Sequence, residues 1–260
     1  MPPAPPVILL PPSEGKAPGG NGPIAAIDTG AFPELADDRA RVRDAVRAVL
    51  RSRAAAEKLL GVRGAHLDRA LAEWMDLDAA PTLPAAYRYS GVVWGAVGVD
   101  DMPPAARRRL MARVLVPSGL WGVLSAADPI PAYRLKMGAR VAPIGLLSSF
   151  WKPRVSPVIA ARARRGAVID LLPIEHAAAF DFAQFRPGAR VRVDIVDDTP
   201  GGQRSVGHAG KSLKGALARA IVIDDARTAA DVADLRVEGL EPGRLEDDGS
   251  TVVFRRRAHG

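Results

Sequence analysis

Short apolar runs along the chain predict the central strands of a sheet. Residues 7–10, 114–116 and 167–171 are almost wholly apolar and rich in Val, Ile and Leu, which is typical of strands buried on both faces. Residues 191–196 alternate between apolar and polar positions, as a strand does when one face is buried and the other meets water. The pattern therefore predicts that these segments are the strands of a sheet.

Helical segments separate these strands without the regular βαβ rhythm of a doubly wound sheet. Near the C-terminus, residues 235–240 and 251–255 flank the turn sequence DDG at 247–249, which predicts a closing hairpin. We expect a mixed α/β fold in which a sheet of mixed strand direction is flanked by helices. Residues 1–260 are predicted to form a single domain, with a loose Pro-rich tail over residues 1–6.

The helical periodicity is clearest in residues 38–76. Apolar residues recur at helical spacing up to residue 60, and residues 65–75 have the pattern of a second helix. A short glycine-containing turn separates the two, so the segment has the form of a helix-hairpin-helix element inserted in the domain. In DNA-binding examples the backbone amides of such a turn face a phosphate, whereas most glycine turns between helices only reverse the chain. The predicted hairpin residues are Gly61, Arg63 and Gly64.

The composition indicates a folded protein and excludes several chemistries. Hydrophobic residues make up 48% of the chain and charged residues 25%, which argues against disorder over most of its length. The chain has no cysteine, which excludes disulfides, a thiol nucleophile and thiolate metal ligands. The apolar runs are too short to span a membrane, and the N-terminus lacks the basic and apolar regions of a signal peptide. We therefore expect a cytoplasmic protein with no membrane partner.

Basic residues cluster in segments that lack acidic residues. The chain has 36 Lys and Arg against 29 Asp and Glu, a net charge of +7. Residues 129–169 nevertheless contain eight Lys or Arg and no Asp or Glu, and residues 199–223 also lack acidic residues. A surface free of carboxylates suits a polyanion or a phosphate-bearing ligand. The alternative is that some of these arginines only occupy the solvated face of a helix.

Two glycine-containing loops directly follow predicted strands. Ser13 and Lys16 lie in the loop after the first strand, where a tight backbone and a cation can hold a phosphate or carboxylate. The alternative there is a surface turn with a solvated lysine. Ser118 and Gly119 follow the second strand, and the nearby Trp121 can either offer a stacking face to a ligand or pack over the loop.

Two further segments bring cations together. If residues 133–137 are extended, Arg134 and Lys136 share one face and repel each other unless an anion lies between them. Lys211 and Lys214 fall in the first turn of a predicted helix, where cations oppose the helix dipole and are better tolerated when an anion docks there. The complete set of predicted anion or nucleic-acid contacts is Ser13, Lys16, Ser118, Gly119, Trp121, Tyr133, Arg134, Lys136, Lys152, Lys211, Lys214 and Arg219.

The sequence lacks the familiar catalytic and metal-binding motifs. The loop with Lys16 does not have the Gly-x4-Gly-Lys-Ser/Thr spacing of a P-loop, and no Gly-x-Ser-x-Gly nucleophile elbow occurs. The four histidines have no metal-ligand spacing, so we expect no metal site and no cofactor. If the protein is an enzyme, Glu14 and His208 are the candidates for proton transfer.

These loops and segments occur together, in this order, in a known protein family. The chain resembles the YaaA family of bacterial proteins, which takes part in the peroxide stress response. Lys136 stands where that family frequently has an acidic residue, so the chain resembles a divergent subgroup. The matching segments are residues 7–16 (VILLPPSEGK), 89–91 (YSG), 115–122 (LVPSGLWG), 128–137 (DPIPAYRLKM), Phe150-Trp151, His208, Lys211, Lys214-Gly215 and Arg219.

The resemblance implies a fold and a function. The fold is a mixed α/β structure described as cannon-shaped, with a helix-hairpin-helix element whose turn corresponds to residues 59–65. The function is DNA binding through a positively charged cleft, together with a role in limiting free iron and oxidative DNA damage. Such binding would be largely independent of DNA sequence, because phosphate contacts would dominate it.

Two alternatives to DNA binding remain open from the sequence. The first is an enzyme that acts on a small anionic or nucleotide-like substrate in the same cleft. A surface that only holds DNA needs charge, and does not need glycine-bearing loops at the ends of buried strands. The second is direct iron binding by the carboxylates of Asp197-Asp198 and Asp224-Asp225, although such pairs more often mark turns or helix starts.

Overall fold

The computed structural model describes residues 3–28, 30–199, 202–205, 209–246 and 249–257. The strands are β1 (Val7–Leu9), β2 (Leu83–Pro84), β3 (Val114–Ser118), β4 (Gly122–Ser125), β5 (Pro129–Ile130), β6 (Arg140–Val141), β7 (Gly145–Leu146), β8 (Val168–Asp170), β9 (Arg190–Thr199), β10 (Gly202–Ser205), β11 (Arg244–Glu246) and β12 (Thr251–Arg255). The α-helices are α1 (Ala36–Leu50), α2 (Arg53–Leu60), α3 (Gly64–Met75), α4 (Ala85–Arg88), α5 (Val92–Val97), α6 (Pro104–Arg113), α7 (Leu147–Ala163), α8 (Ile174–Ala177), α9 (Ala209–Ile223) and α10 (Ala229–Ala233).

The main sheet of the described residues contains eight strands. Seven of them lie in the spatial order β11-β12-β9-β8-β1-β3-β4, and β10 pairs with the last residues of β9. The five strands from β12 to β3 run parallel to one another, whereas β4, β10 and β11 are antiparallel to their neighbours. This arrangement confirms the predicted mixed α/β class with a sheet of mixed direction.

The central strands β1, β3 and β8 consist entirely of buried residues. Their almost wholly apolar sequences contain few side chains that would need hydration, so they can occupy the interior of a parallel sheet. The positions predicted for these strands are confirmed. Because β1, β3 and β8 are parallel, their carboxyl ends lie at one edge of the sheet, and the loops that follow them meet there.

Helix α9 packs closely on α5. A Cβ atom at Gly215 in α9 would lie 2.1 Å from the carbonyl oxygen of Val93 in α5, so only glycine allows this approach. Further along α9, the Arg219 guanidinium donates hydrogen bonds of 3.0 and 2.7 Å to the carbonyls of Val97 and Gly98. These contacts hold the first turn of α9 at the edge of the sheet where the loops meet.

The helix predicted up to residue 60 is in fact two helices, α1 and α2. Ser52 interrupts it, because its Oγ accepts a hydrogen bond of 3.4 Å from the Ala55 amide and caps α2. Helix α2 ends at Gly61, whose backbone is left-handed (φ 65°). A three-residue connection then leads to α3, and the use of this turn as a DNA-binding hairpin stays a prediction. Among the described residues, no helix is both long and apolar enough to cross a lipid bilayer.

Both ends of the chain differ from the sequence expectation. The strand that pairs with β12 is β11 and not residues 235–240. Leu235 is buried in the core, and Leu240 forms an isolated antiparallel bridge with Arg256, directly after β12. Residues 247–248 of the predicted turn lie outside the described residues. Residues 3–6, predicted to be loose, contact the fold: the Arg227 guanidinium donates a hydrogen bond of 2.9 Å to the Pro3 carbonyl, and Pro6 is buried.

Arg88 is completely buried beside the loop that follows β1. Within the described residues, its guanidinium donates hydrogen bonds to four backbone carbonyls and to no side chain. The partial negative charges of these carbonyl oxygens stabilise the buried positive charge. The accepting carbonyls are those of Ala17, Gly19 at 2.8 Å, Pro81 at 3.1 Å and Ile130 at 3.1 Å. Arg88 therefore ties three separate chain segments together next to the region described below.

Candidate functional site

A cavity of about 800 Å³ lies at the carboxyl edge of the parallel strands. The loops after β1, β3 and β8 supply part of its wall. Residues 133–137, β9, the start of α9, Tyr89 and the start of α5 also line it. Its basic residues are Lys16, Arg134, Lys136, Arg192, Lys211 and Lys214, and its acidic residues are Glu14, Glu175 and Asp194. The cavity is large enough for a nucleotide-sized ligand.

The loop after β1 is fixed by pairing with Tyr89 and Ser90. The Ser13 hydroxyl donates a hydrogen bond to the Ser90 carbonyl, and the Ser90 amide donates one of 3.0 Å to the Gly15 carbonyl. Lys16 forms an antiparallel bridge with Tyr89. The prolines that end β1 release the chain from the sheet, and this pairing then directs Lys16 into the cavity.

The Lys16 ammonium lies against two tyrosine rings. Its Nζ is 4.4 Å from the ring centre of Tyr133 and 5.4 Å from that of Tyr89, and it donates a hydrogen bond of 3.3 Å to the Ser13 carbonyl. Burial lowers the pKa of Lys16 to about 7, although the carboxylates of Glu73 and Glu14 act in the opposite direction. Near neutral pH the amine is therefore protonated in only part of the molecules.

A chain of hydroxyl groups lies beside this amine. The Tyr133 hydroxyl is 2.6 Å from Ser118 Oγ and 3.3 Å from the Tyr89 hydroxyl. Burial raises the pKa of Tyr133 to about 12 and raises that of Tyr89 well above its usual range. Both phenols consequently stay protonated, and they can donate a hydrogen bond to a ligand oxygen.

Glu14 lies between Arg134 and Lys136. Its carboxylate forms an ion pair with the Arg134 guanidinium and another with the Lys136 ammonium at 2.9 Å. Burial raises the pKa of Glu14, but the hydrogen bonds and positive charges of Lys136 and Arg134 outweigh it, so the net shift is downward. The sequence suggested that a ligand anion separates these two cations. The structure corrects this interpretation, because a carboxylate of the chain itself occupies that position.

Arg134 also connects the cavity to the helical hairpin. Its Nε donates a hydrogen bond of 2.9 Å to the Leu60 carbonyl, at the end of α2, and its own carbonyl accepts one of 3.0 Å from the Trp74 indole. The turn that contains Gly61, Arg63 and Gly64 therefore lies behind Arg134 and outside the cavity lining.

The first two turns of α9 bring Lys211 and Lys214 to the cavity, and their use as an anion site stays a prediction. Lys211 is exposed. Burial lowers the pKa of Lys214, while the carboxylates of Asp170 and Asp194 raise it. His208, the second candidate for proton transfer, lies outside the described residues.

Three predicted contact residues lie away from the cavity lining. Trp121 is 2% exposed, and its ring centre lies 5.6 Å from the Arg39 guanidinium, so it packs over the loop and offers no stacking face. Lys152 is exposed on α7. Arg219 holds α9 against the end of α5, which is a structural contact. The predicted contacts that do line the cavity are Ser13, Lys16, Ser118, Gly119, Tyr133, Arg134, Lys136, Lys211 and Lys214.

Several cavity residues were missed by the sequence reasoning. Glu175 and His176 follow β8 in the same way as Ser13 follows β1, and the parallel order of these strands would have predicted them. Burial lowers the pKa of His176, and its Nδ1 has no hydrogen-bond partner within the described part of the chain. Arg192 and Asp194 occupy alternate positions of β9, and their side chains pair at 2.9 Å.

The described residues contain no group of three or more His, Asp or Glu side chains that could hold a metal ion. The cavity offers a ligand basic side chains, the hydroxyl chain and the partly neutral amine, together with the imidazole of His176 and the carboxylates of Glu14, Glu175 and Asp194. Cations can hold a phosphate or carboxylate, and an amine of this kind can act as a base or a nucleophile.

Comparison with known proteins shows the family of this chain. The family model of the peroxide stress protein YaaA matches residues 7–243. A UPF0246 protein of Streptomyces coelicolor is 33% identical over 219 residues, which cover 83% of this chain and 82% of the relative. A UPF0246 protein of Corynebacterium efficiens is 35% identical over 232 residues (88% and 91%), and one of Methylibium petroleiphilum is 30% identical over 229 residues (78% and 88%). The chain therefore belongs to the YaaA family of peroxide stress proteins.

Proposed function

We propose that this chain acts in the peroxide stress response of the cytoplasm by binding DNA, and that it thereby helps to limit iron-dependent oxidative damage. The observation that carries the proposal is the convergence of cations from distant parts of the chain. Lys16, Arg134 and Lys211 are separated by many residues in sequence and line one cavity. The cavity lining contains six basic and three acidic residues, and this excess of basic residues favours the binding of phosphate groups.

The arrangement favours recognition of the DNA backbone over recognition of base sequence. Lys211 is exposed at the start of α9, where it can reach a phosphate without desolvation of a buried group. The hairpin turn adds the exposed Arg63 on the other side of Arg134. A phosphate backbone that follows the cavity rim and this turn would meet cations at both places, and such contacts position DNA without reading its sequence.

DNA binding is expected to weaken steeply as salt concentration rises. Each phosphate that the protein neutralises releases counterions, and the plot of log K against log salt steepens by about 0.9 per contact. Lys211→Ala should lower the affinity for an unmodified duplex and make this slope shallower by about one contact. Fluorescence anisotropy at several salt concentrations measures both quantities. Arg236 is exposed and lies outside the cavity, so Arg236→Ala is the matched control and should leave the slope unchanged. A wild-type slope near zero would exclude phosphate binding as the basis of the function.

A second candidate function is an enzyme that acts on a small anionic or nucleotide-like substrate. The interior of the cavity favours it, because a partly neutral lysine and protonated tyrosine hydroxyls are not needed to hold a DNA backbone. A thermal-shift screen with nucleotides and sugar phosphates tests this candidate. A ligand at about 100 times its Kd stabilises the folded state by about 2.7 kcal/mol. Stabilisation by such a ligand, without DNA binding, would favour the enzyme over the DNA-binding protein.

A further inference from the structure

Lys16 differs from the other cations of the cavity in its surroundings. Arg134 and Lys136 share the carboxylate of Glu14, and Arg192 pairs with Asp194. Lys16 forms no ion pair with any carboxylate of the described residues. Its Nζ is instead held by the Ser13 carbonyl at 3.3 Å and by the face of Tyr133 at 4.4 Å. A lysine that only anchors phosphate works best as a permanently charged ammonium, whereas the pKa of Lys16 is lowered to about 7 beside the two tyrosine rings.

We propose that Lys16 is a nucleophile that forms a Schiff base with the aldehyde group of a phosphate-bearing ligand. If the ligand is DNA, this inference rests on the proposed function, because the aldehyde would then belong to a base-free deoxyribose in a DNA strand. The same chemical group also occurs in a free sugar phosphate. Oxidative damage to DNA produces base-free sugars, so the proposed substrate is consistent with the peroxide stress family of the chain.

The chemical step follows from the neutral amine. The lone pair of Lys16 Nζ attacks the aldehyde carbon, and the carbonyl π electrons move to the oxygen. The two amine protons then leave with that oxygen as water, and a C=N double bond replaces the C=O bond. No oxidant or reductant is consumed. The reaction needs the unprotonated amine, and burial, which lowers the pKa of Lys16 to about 7, makes it available at neutral pH.

Neighbouring side chains can assist this step. The hydroxyl groups of Tyr133 and Ser118 line the same cavity and lie 2.6 Å apart, and a protonated hydroxyl can donate a hydrogen bond to the aldehyde oxygen as negative charge develops on it. Lys211 and Lys214 line the same cavity and can supply positive charge for the phosphate. The site therefore combines an amine for the carbonyl group with cations for the phosphate group.

Borohydride trapping tests the inference directly. Sodium borohydride reduces a Schiff base to a stable amine, so the protein becomes covalently linked to its ligand. The protein is incubated separately with a duplex that contains one base-free deoxyribose, with the same duplex unmodified, and with deoxyribose 5-phosphate. We expect a covalent adduct with at least one of the two aldehydes, and the arm that gives it identifies the source. Lys16→Ala and Lys16→Arg should lower the adduct yield at least tenfold, whereas Lys58→Ala, exposed on α2, should not change it.

Mass spectrometry of the proteolysed wild-type adduct keeps the test valid if a Lys16 variant fails to fold. The modified peptide should contain Lys16, and modification of other lysines in its place would overturn the inference. Binding of the unmodified duplex without any adduct would also overturn it and leave the proposed function intact. Failure to bind the unmodified duplex would contradict DNA binding, while an adduct of Lys16 with deoxyribose 5-phosphate would still support the inference.

The rate of trapping should rise with pH through neutrality. The lowered pKa predicts that the unprotonated fraction of Lys16 increases about tenfold between pH 6 and pH 8, and an ordinary lysine would react appreciably only at higher pH. A profile with no rise below pH 9 would contradict a lowered pKa as the source of reactivity. The groups that influence the charge of Lys16 are Glu73, Arg134, Glu14 and Arg88, together with the rings of Tyr89 and Tyr133.

Discussion

Replacement of Arg88 by methionine is expected to lower the free energy of unfolding by about 3–5 kcal/mol. Arg88 is completely buried, and its guanidinium donates hydrogen bonds to four backbone carbonyls. Methionine fills much of the same volume but donates no hydrogen bond. The carbonyls would then be left in the interior without a donor, and each such buried group costs about 1–3 kcal/mol unless water reaches it.

Urea denaturation of the wild type and the variants measures this effect. Arg88→Lys should also be strongly destabilised, because one ammonium group cannot reach four carbonyls that a planar guanidinium spans. Arg108→Met on α6 is the matched control, since Arg108 is exposed and its replacement should change stability by no more than about 0.5 kcal/mol. A loss below about 1 kcal/mol for Arg88→Met would show that water replaces the guanidinium easily. In that case the hydrogen bonds of Arg88 to Ala17 and Gly19 would contribute little to holding the segment after Lys16.

The central strands could be predicted because their pattern is local. Residues 7–10 and 114–116 are apolar runs that end at proline, and runs this short, rich in Val and Ile, favour a buried strand over a helix. The strand partner of β12 was predicted wrongly for a related reason. Leu235 and Leu240 have the apolar character of a strand, but Leu235 is buried outside the sheet and Leu240 makes only an isolated bridge with Arg256. Apolar character predicts burial more reliably than it predicts pairing.

The convergence of the basic loops follows from a strand order that the sequence did not predict. Loops that follow parallel strands meet at one edge, and in the structure this brings Ser118 and Lys16 to one cavity. The partner of Arg134 and Lys136 could not be found in this way. Glu14 lies 120 residues away from Arg134, and nothing in the local pattern of either segment indicates that they meet.

The chemical character of Lys16 also lies beyond sequence reasoning. Its lowered pKa depends on the degree of burial and on the rings of Tyr89 and Tyr133, which come from three separate parts of the chain. Trp121 shows the converse case, because a large aromatic residue in a loop suggests a stacking surface until the structure shows it packed beside Arg39. Pocket residues are predicted from topology, but their reactivity is set by tertiary contacts.

The same substitution at two glycines of one helix pair is expected to have opposite effects. Gly215 in α9 and Gly95 in α5 both lie in helices, where alanine is intrinsically more stable than glycine by about 0.5–1 kcal/mol. At Gly95 a Cβ atom would have no neighbour within 4 Å, so Gly95→Ala should stabilise the protein by this amount.

At Gly215 the Cβ atom of alanine would lie 2.1 Å from the Val93 carbonyl oxygen and 2.8 Å from the Ala96 side chain. Backbone atoms of a packed helix cannot yield as a flexible side chain does, so α9 must move away from α5. We expect Gly215→Ala to lower the free energy of unfolding by about 1–3 kcal/mol, which is the usual effect of overpacking.

Because α9 carries Lys211 and Lys214 into the cavity, the variant should also bind duplex DNA more weakly at a temperature where it is still folded. Thermal unfolding and anisotropy measure the two effects. Stabilisation by both alanine variants would show that the two helices are not in tight contact, and unchanged DNA binding by a destabilised Gly215→Ala would separate the position of α9 from DNA recognition.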